Sequence, residues 1–234
     1  MAIISDIRIY RSDKENVAGY NPAGFGNKEL NIIIRRIVMK LRESDFSLGE
    51  FNHLYINFTT CPVEGKIAMA KRSVDKYFPW YRYFDVEVSR AFWDSLEGPN
   101  CIEDVIELVE QVLVQCFCTD DAQANMVREC IRDAVINGEK MTMKFKEKNG
   151  AKNRAVLYLR YLDDGCYFPL LKVFDLNGEL ILEQDLQITR SLHGFGEIQL
   201  SSQKVTIKPR KNSVTKALGL EPVSYNIPKE DDNT

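Results

Sequence analysis

The feature that most constrains this chain is a change of period at Asn137-Gly138. Before it, apolar residues recur at helical spacing. Leu30, Ile33, Ile34, Ile37, Val38 and Leu41 form one stripe, and Ile102, Val105, Val109, Val112, Leu113 and Cys116 form a second. Val127, Ile131, Ala134 and Val135 form a third. After Gly138 the spacing becomes two. Met141/Met143/Phe145, Ala155/Leu157/Leu159/Tyr161, Leu171/Val173, Leu180/Leu182, Ile198/Leu200 and Val205/Ile207 alternate with polar residues. Asn149-Gly150, Asp163-Asp164-Gly165 and Asn177-Gly178 punctuate these runs, and Asn-Gly between alternating runs is a hairpin signal. The pattern predicts an α+β fold. A β-α-β-β-α-α portion occupies 1–138, an antiparallel β-meander of about five or six strands occupies 139–208, and 209–234 is a polar tail. Pattern alone leaves open whether the two portions share one core.

Within the first portion, Phe51–Thr60 and Tyr81–Val88 read as two strands. Leu54, Ile56 and Phe58 point one way, as do Phe84, Val86 and Val88. If the strands pair, the other face gathers His53, Tyr55, Asn57, Tyr81, Tyr83, Asp85 and Glu87. That set is aromatic and acidic and contains no Lys. Tyrosine offers large contact area, and aromatic residues are enriched where proteins meet proteins. The competing reading is that a helix or second sheet covers this face and the tyrosines are core. The opening strand at Ile3, Ile7 and Ile9 carries Asp6 and Arg8 on its other side. Asn27, Ser89, Asn100 and Asp120 or Asp121 are the expected helix caps.

Charge is uneven along the chain. The net charge is −3, which gives no global field for nucleic acid. Residues 101–138 carry eight acidic and two basic groups, and 139–162 carry seven basic and two acidic. Blocks of opposite sign attract one another within a fold or steer a charged partner. Glu103, Glu107 and Glu110 make an acidic ridge on the second helix. Arg35, Arg36, Lys40 and Arg42 lie off the stripe of the first and read as a solvated face, since they lack the interleaved aromatics of a nucleic-acid surface.

No nucleophile elbow or nucleotide fingerprint occurs. Gly24-Phe-Gly26 lacks the further residues of a phosphate cradle and reads as turn geometry. Cys116-Phe-Cys118 is the tightest cysteine pair, but residues two apart on a helix diverge, so no metal clamp is expected. The six cysteines show no framework spacing and read as reduced thiols of a cytosolic protein. No run is long and apolar enough to span a bilayer, and the N-terminus lacks the basic start and apolar stretch of a signal peptide. No cofactor is implied. His53 and His193 are the two histidines, and His193-Gly-Phe-Gly196 sets one of them on a glycine-bearing loop.

The stretches Leu54-Tyr-Ile-Asn-Phe-Thr-Thr60 and Trp80-Tyr-Arg-Tyr-Phe-Asp-Val86 resemble a pattern found in cytosolic immunity proteins of bacterial polymorphic-toxin systems. The resemblance covers about 35 residues and implies a non-enzymatic inhibitor that occludes the active site of a toxin domain. The residues themselves support the same class. A basic toxin domain would find phosphate-like carboxylates on the strand face or on the Glu103/Glu107/Glu110 ridge. A different reading is an enzyme or small-ligand binder with a pocket near His193 or His53. A third is a scaffold subunit that self-associates through the strand face. Under the inhibitor reading, substituting Tyr83 and Asp85 together weakens partner binding and leaves thermal stability nearly unchanged.

Overall fold

The computed structural model describes residues 1–14, 23–24, 26–70, 77–96, 98 and 101–228. The chain divides into two compact units, Met1–Gly138 and Glu139–Thr234. The division falls at the change of period.

The first unit runs β1 (Asp6–Ser12), β2 (Ala23–Gly24), α1 (Lys28–Glu43), β3 (His53–Thr59), β4 (Ile67–Met69), β5 (Tyr81–Glu87), α2 (Arg90–Ser95), α3 (Ile102–Phe117) and α4 (Asp121–Asn137). Its sheet has the order β2-β1-β3-β5-β4, with β1, β3 and β5 parallel and the two short edge strands antiparallel. Helix α1 is the crossover from β1 to β3, as a parallel pair requires. Ile7, Ile9, Leu54, Ile56, Phe58, Phe84 and Val86 are all buried on one side of the sheet. Phe117 of α3 packs its ring 5.1 Å from Phe84, and Phe92 of α2 lies 5.8 Å from Phe58. The helices therefore close the aliphatic side.

Caps fix where the helices begin. The side chains of Asn27, Ser89 and Asp120 accept the N–H groups of Leu30, Phe92 and Gln123, satisfying donors a helix start leaves open. Helix α3 opens at Cys101 without a side-chain cap, and Asn100 lies outside the described residues. Gly138 ends α4 with φ +50°, where a side chain would be strained.

Of the four basic residues expected on a solvated face of α1, Arg42 is exposed, whereas Arg35 and Lys40 are half-buried and Arg36 is buried. Arg36 is 4% exposed. Lys40 pairs with Glu43 and reaches Asp133 of α4 at 3.0 Å. Arg35 and Arg42 both donate to Ser5. Helix α4 packs on α1, with Cys130 Sγ 3.5 Å from Ser44 Oγ. An apolar stripe announces one covered side of a helix, whereas α1 has neighbours on two.

The second unit is a sandwich. One sheet is the meander β6 (Met143–Asn149), β7 (Asn153–Tyr161), β8 (Tyr167–Asp175) and β9 (Leu180–Asp185). The other is β10 (Glu197–Leu200), β11 (Lys204–Lys208) and β12 (Val223–Asn226), all antiparallel. Ala155, Leu157, Leu171 and Val173 from the first sheet meet Ile198, Val205, Ile207 and Ile227 in one buried cluster. The expected hairpin turns fall where the sequence places them, with Gly165 and Gly178 at positive φ.

The antiparallel strands expected here are present and are divided between two sheets. One expectation is corrected: much of the stretch taken as a tail, 209–228, is structured. Asn212 and Thr215 form a capping box at α5 (Ser213–Ala217), β12 extends the smaller sheet, and Ile227 is buried. The alternation Val223/Tyr225/Ile227 carries that strand and was obscured by the short helix before it. The polar residues 229–234 lie outside the described residues.

Candidate functional site

In-register parallel pairing builds the polar side of the first sheet in rows. Asp6, His53 and Tyr81 form one row, Arg8, Tyr55 and Tyr83 the next, then Tyr10, Asn57 and Asp85, then Ser12, Thr59 and Glu87. Residues two apart on a strand share a side, so all twelve belong to one face. The seven strand residues expected together are brought together, and β1 adds a third column. Sequence reading placed Asp6 and Arg8 off the core but left out Tyr10, because nothing local says that β1 lies beside β3.

Aromatic packing dominates the face. Tyr55 stacks on Tyr81 with centroids 4.8 Å apart and meets Tyr83 edge-on at 5.2 Å. Tyr10 closes the group, 5.4 Å from Tyr55 and 5.3 Å from Tyr83. Offset and edge-on contacts suit the ring quadrupoles. The Arg8 guanidinium lies 5.3 Å from the Tyr55 ring centre and donates to Asp6 at 2.8 Å. That hydrogen bond holds the guanidinium charged well above its ordinary value.

The rows differ in access. Tyr55, Asn57 and Asp85 are buried, whereas His53, Tyr81, Tyr83 and Glu87 are half-buried. Tyr55 is shielded by the neighbouring rings. Asn57, 2% exposed, donates through Nδ2 to Asp85 Oδ1 at 2.8 Å. Glu87 Oε2 accepts the Val63 N–H at 2.8 Å, so this carboxylate also holds the turn after β3. The expectation that Tyr83 and Asp85 can be replaced together without thermal cost therefore does not survive: Asp85 is 9% exposed and bonded to a buried amide.

Exposed aromatic residues also occur in the segment just before β5. Tyr77 is 72% exposed, and Phe78 and Trp80 are half-exposed, with their rings edge-on at 5.2 Å. The Trp80 carbonyl accepts the N–H groups of Asn52 and His53 at 3.1 and 3.0 Å. This anchors the segment beside the row Asp6-His53-Tyr81. The run Tyr77-Phe78-Pro79-Trp80 was the available signal, an aromatic cluster inside a polar connection.

The acidic ridge stands elsewhere. Helix α3 contacts the sheet through Phe117 on Phe84, on the aliphatic side, so Glu103 and Glu107 do not adjoin the tyrosines. Both are exposed. Glu110 is half-buried and pairs with Arg128 of α4 at 3.2 Å, which commits it to helix packing.

His53 Nδ1 lies 2.6 Å from Asn52 Oδ1, and His193 Nδ1 lies 3.2 Å from Asn212 Nδ2. Among the described residues no hydroxyl or thiol bonds either ring, and no group of three or more His, Cys, Asp or Glu could hold a metal ion. No helix among them is long and apolar enough to cross a membrane. Burial lowers the His53 pKa; Asp6 opposes this, and Arg8 and Arg35 add to it. The fold therefore favours neutral imidazole, and protonation costs more in the folded than in the unfolded chain. Stability should fall as pH drops through about 6.5 and level off once the lowered folded value is passed. A series of thermal midpoints from about pH 7.5 to 5.5 should show that slope, and His53→Gln should flatten it. An equal slope in the variant would assign the pH dependence to other groups.

A cavity of about 490 Å³ lies in the second unit beside the His193 loop, lined by Ser191, Gly194 and Phe195 but not by His193. Comparison of the chain with protein-family models, with curated proteins and with solved structures gives no match.

Proposed function

We propose that this chain is a non-enzymatic binding protein of the immunity type, acting in the cytoplasm, which neutralises a cognate toxin by covering its active site. One observation carries the reading. The half-buried phenols Tyr81 and Tyr83 directly follow, along the chain, the exposed aromatic segment Tyr77, Phe78 and Trp80, so five aromatic residues reach the surface within seven positions. Exposed aromatic surface marks association sites, and Trp and Tyr are frequent energetic anchors. Ring packing holds the phenols in place before any partner arrives, which limits the ordering cost of binding. On this face Asp6 is balanced by Arg8, which leaves the Glu87 carboxylate and the neutral His53 near the phenols, a balance that suits a basic partner. The exposed Glu103 and Glu107 favour approach of such a partner by long-range attraction.

The test uses the full chain as bait in lysate of its own cells. A stoichiometric protein should be recovered, and the bait should suppress that protein's toxicity when both are expressed. Phe78→Ser with Trp80→Ser should weaken recovery by at least about tenfold, the scale of one lost anchor, while the thermal midpoint moves little because both rings are half-exposed. Equal recovery by this variant would refute the assignment.

A further inference from the structure

We infer that the open end of the second unit's sandwich binds a small molecule with an apolar body and one cationic group. The body would lie in the cavity of about 490 Å³ and the cation against Glu221.

The cavity follows from how the smaller sheet is built. Tyr225 and Val223 of β12 stand opposite Val205 and Ile207 of β11, and cross-strand partners share a face. Val205 and Ile207 face the core, so Tyr225 and Val223 face the same way. Yet Val223 is half-exposed, as are Ile188, Leu218 and Leu220 around the same opening. Here β9 has ended at Asp185 and the chain leaves through Leu186 to Thr189. Inward-facing residues of β12 are thus left without an opposing strand. Leaving apolar area in water costs free energy that an apolar occupant would recover, and the volume lies within the range of about 300–1,000 Å³ common for small-molecule sites.

The polar lining selects the charge. Thr189 Oγ1 donates to the Ser191 carbonyl and accepts the Ser191 N–H, and Ser191 Oγ accepts the His193 N–H, so both side chains are held by the turn; Gln187 and Tyr225 are the other polar side chains of the lining, and both are uncharged. Glu221 is the one charged residue among those lining the cavity, and it makes no ion pair among the described residues. Its carboxylate at the mouth attracts a cation and repels an anion, while the walls accept hydrocarbon or aromatic surface. Such a ligand would bind with or without a protein partner on the first unit.

The experiment uses the full chain and the neutral fluorophore N-phenyl-1-naphthylamine, which brightens in apolar surroundings. The probe should bind, and decyltrimethylammonium should displace it at concentrations roughly two- to fivefold below those needed with decanoate, the ratio a partly exposed ion pair supports. Glu221→Gln should bring the two competitors together without abolishing probe binding. Val223→Trp, which sets a large ring inside the cavity, should weaken it at least about tenfold; Leu220→Trp serves the same purpose from the rim should the first variant fold poorly. Absence of probe binding, equal displacement by both competitors on the unaltered chain, or binding that is undiminished in both tryptophan variants would overturn the inference.

Discussion

Gly196→Ala should destabilise the second unit by roughly 2–4 kcal/mol, among the largest effects of any single methyl group added to this chain. A Cβ at Gly196 would lie 2.5 Å from the Pro209 carbonyl oxygen, 2.6 Å from its carbon and 2.7 Å from the Arg210 nitrogen. All three are backbone atoms, so no side chain can swing aside. The close approach is built into the sandwich, because the Gly196 N–H donates to the Lys208 carbonyl at 2.7 Å and Lys146 donates to the Gly196 carbonyl. Gly194→Ala is the internal control, since nothing lies within 4 Å of its added Cβ, and it should be neutral or slightly stabilising. Denaturant unfolding with hydrogen-exchange readout over 143–208 separates the two. Equal stability of both variants would mean that β10 and the segment after β11 do not approach as described.

Asp85→Ala should cost about 3 kcal/mol in the first unit. The carboxylate accepts the buried Asn57 amide, and removal leaves that N–H without an acceptor where water does not reach. Asn57 Oδ1 already has no partner, so the variant would strand both ends of one buried amide. Asp85→Asn keeps an acceptor in place and should cost clearly less. Thermal midpoints of the two variants check the order; a midpoint unchanged in Asp85→Ala would show the pair to be solvent-accessible and the row to be more open than its burial indicates.

These effects bear on what a sequence of this kind discloses. The alternation in His53–Thr59 and Tyr81–Glu87 was legible because one side is aliphatic and the other is not. Its partner strand was not, since β1 is brought beside β3 by a crossover through α1, and the order of strands in a sheet leaves no local mark. Tyr10 completes the phenol group only through that order. Arg36 and Lys40 looked solvated because periodicity records one covered side of a helix, whereas α4 covers another. The acidic ridge was correctly placed on one helix, yet its separation from the tyrosines depends on which side of the sheet α3 occupies, fixed by Phe117 meeting Phe84. In the second unit, strand existence followed from period and turn residues. The sheet break after β9 did not, because Leu186, Ile188, Val223 and Tyr225 are the same residue types that fill a closed core.

The partition of the phenol face is the main revision to its use. Tyr55, Asn57 and Asp85 support it from within, while Tyr81 and Tyr83 are half-buried and Tyr77, Phe78 and Trp80 are exposed, the surface proposed to meet a partner. Binding and folding can therefore be altered separately, which makes the assignment testable without confusing lost contact with lost structure.

The most direct measurement is deuterium exchange of the full chain, free and saturated with the protein recovered from its own cells. Slowed exchange is expected across Tyr77–Glu87 and His53–Asn57, with the second unit unchanged. Protection confined to Glu103–Glu110, or to β12 and the cavity beside it, would contradict the proposed binding face.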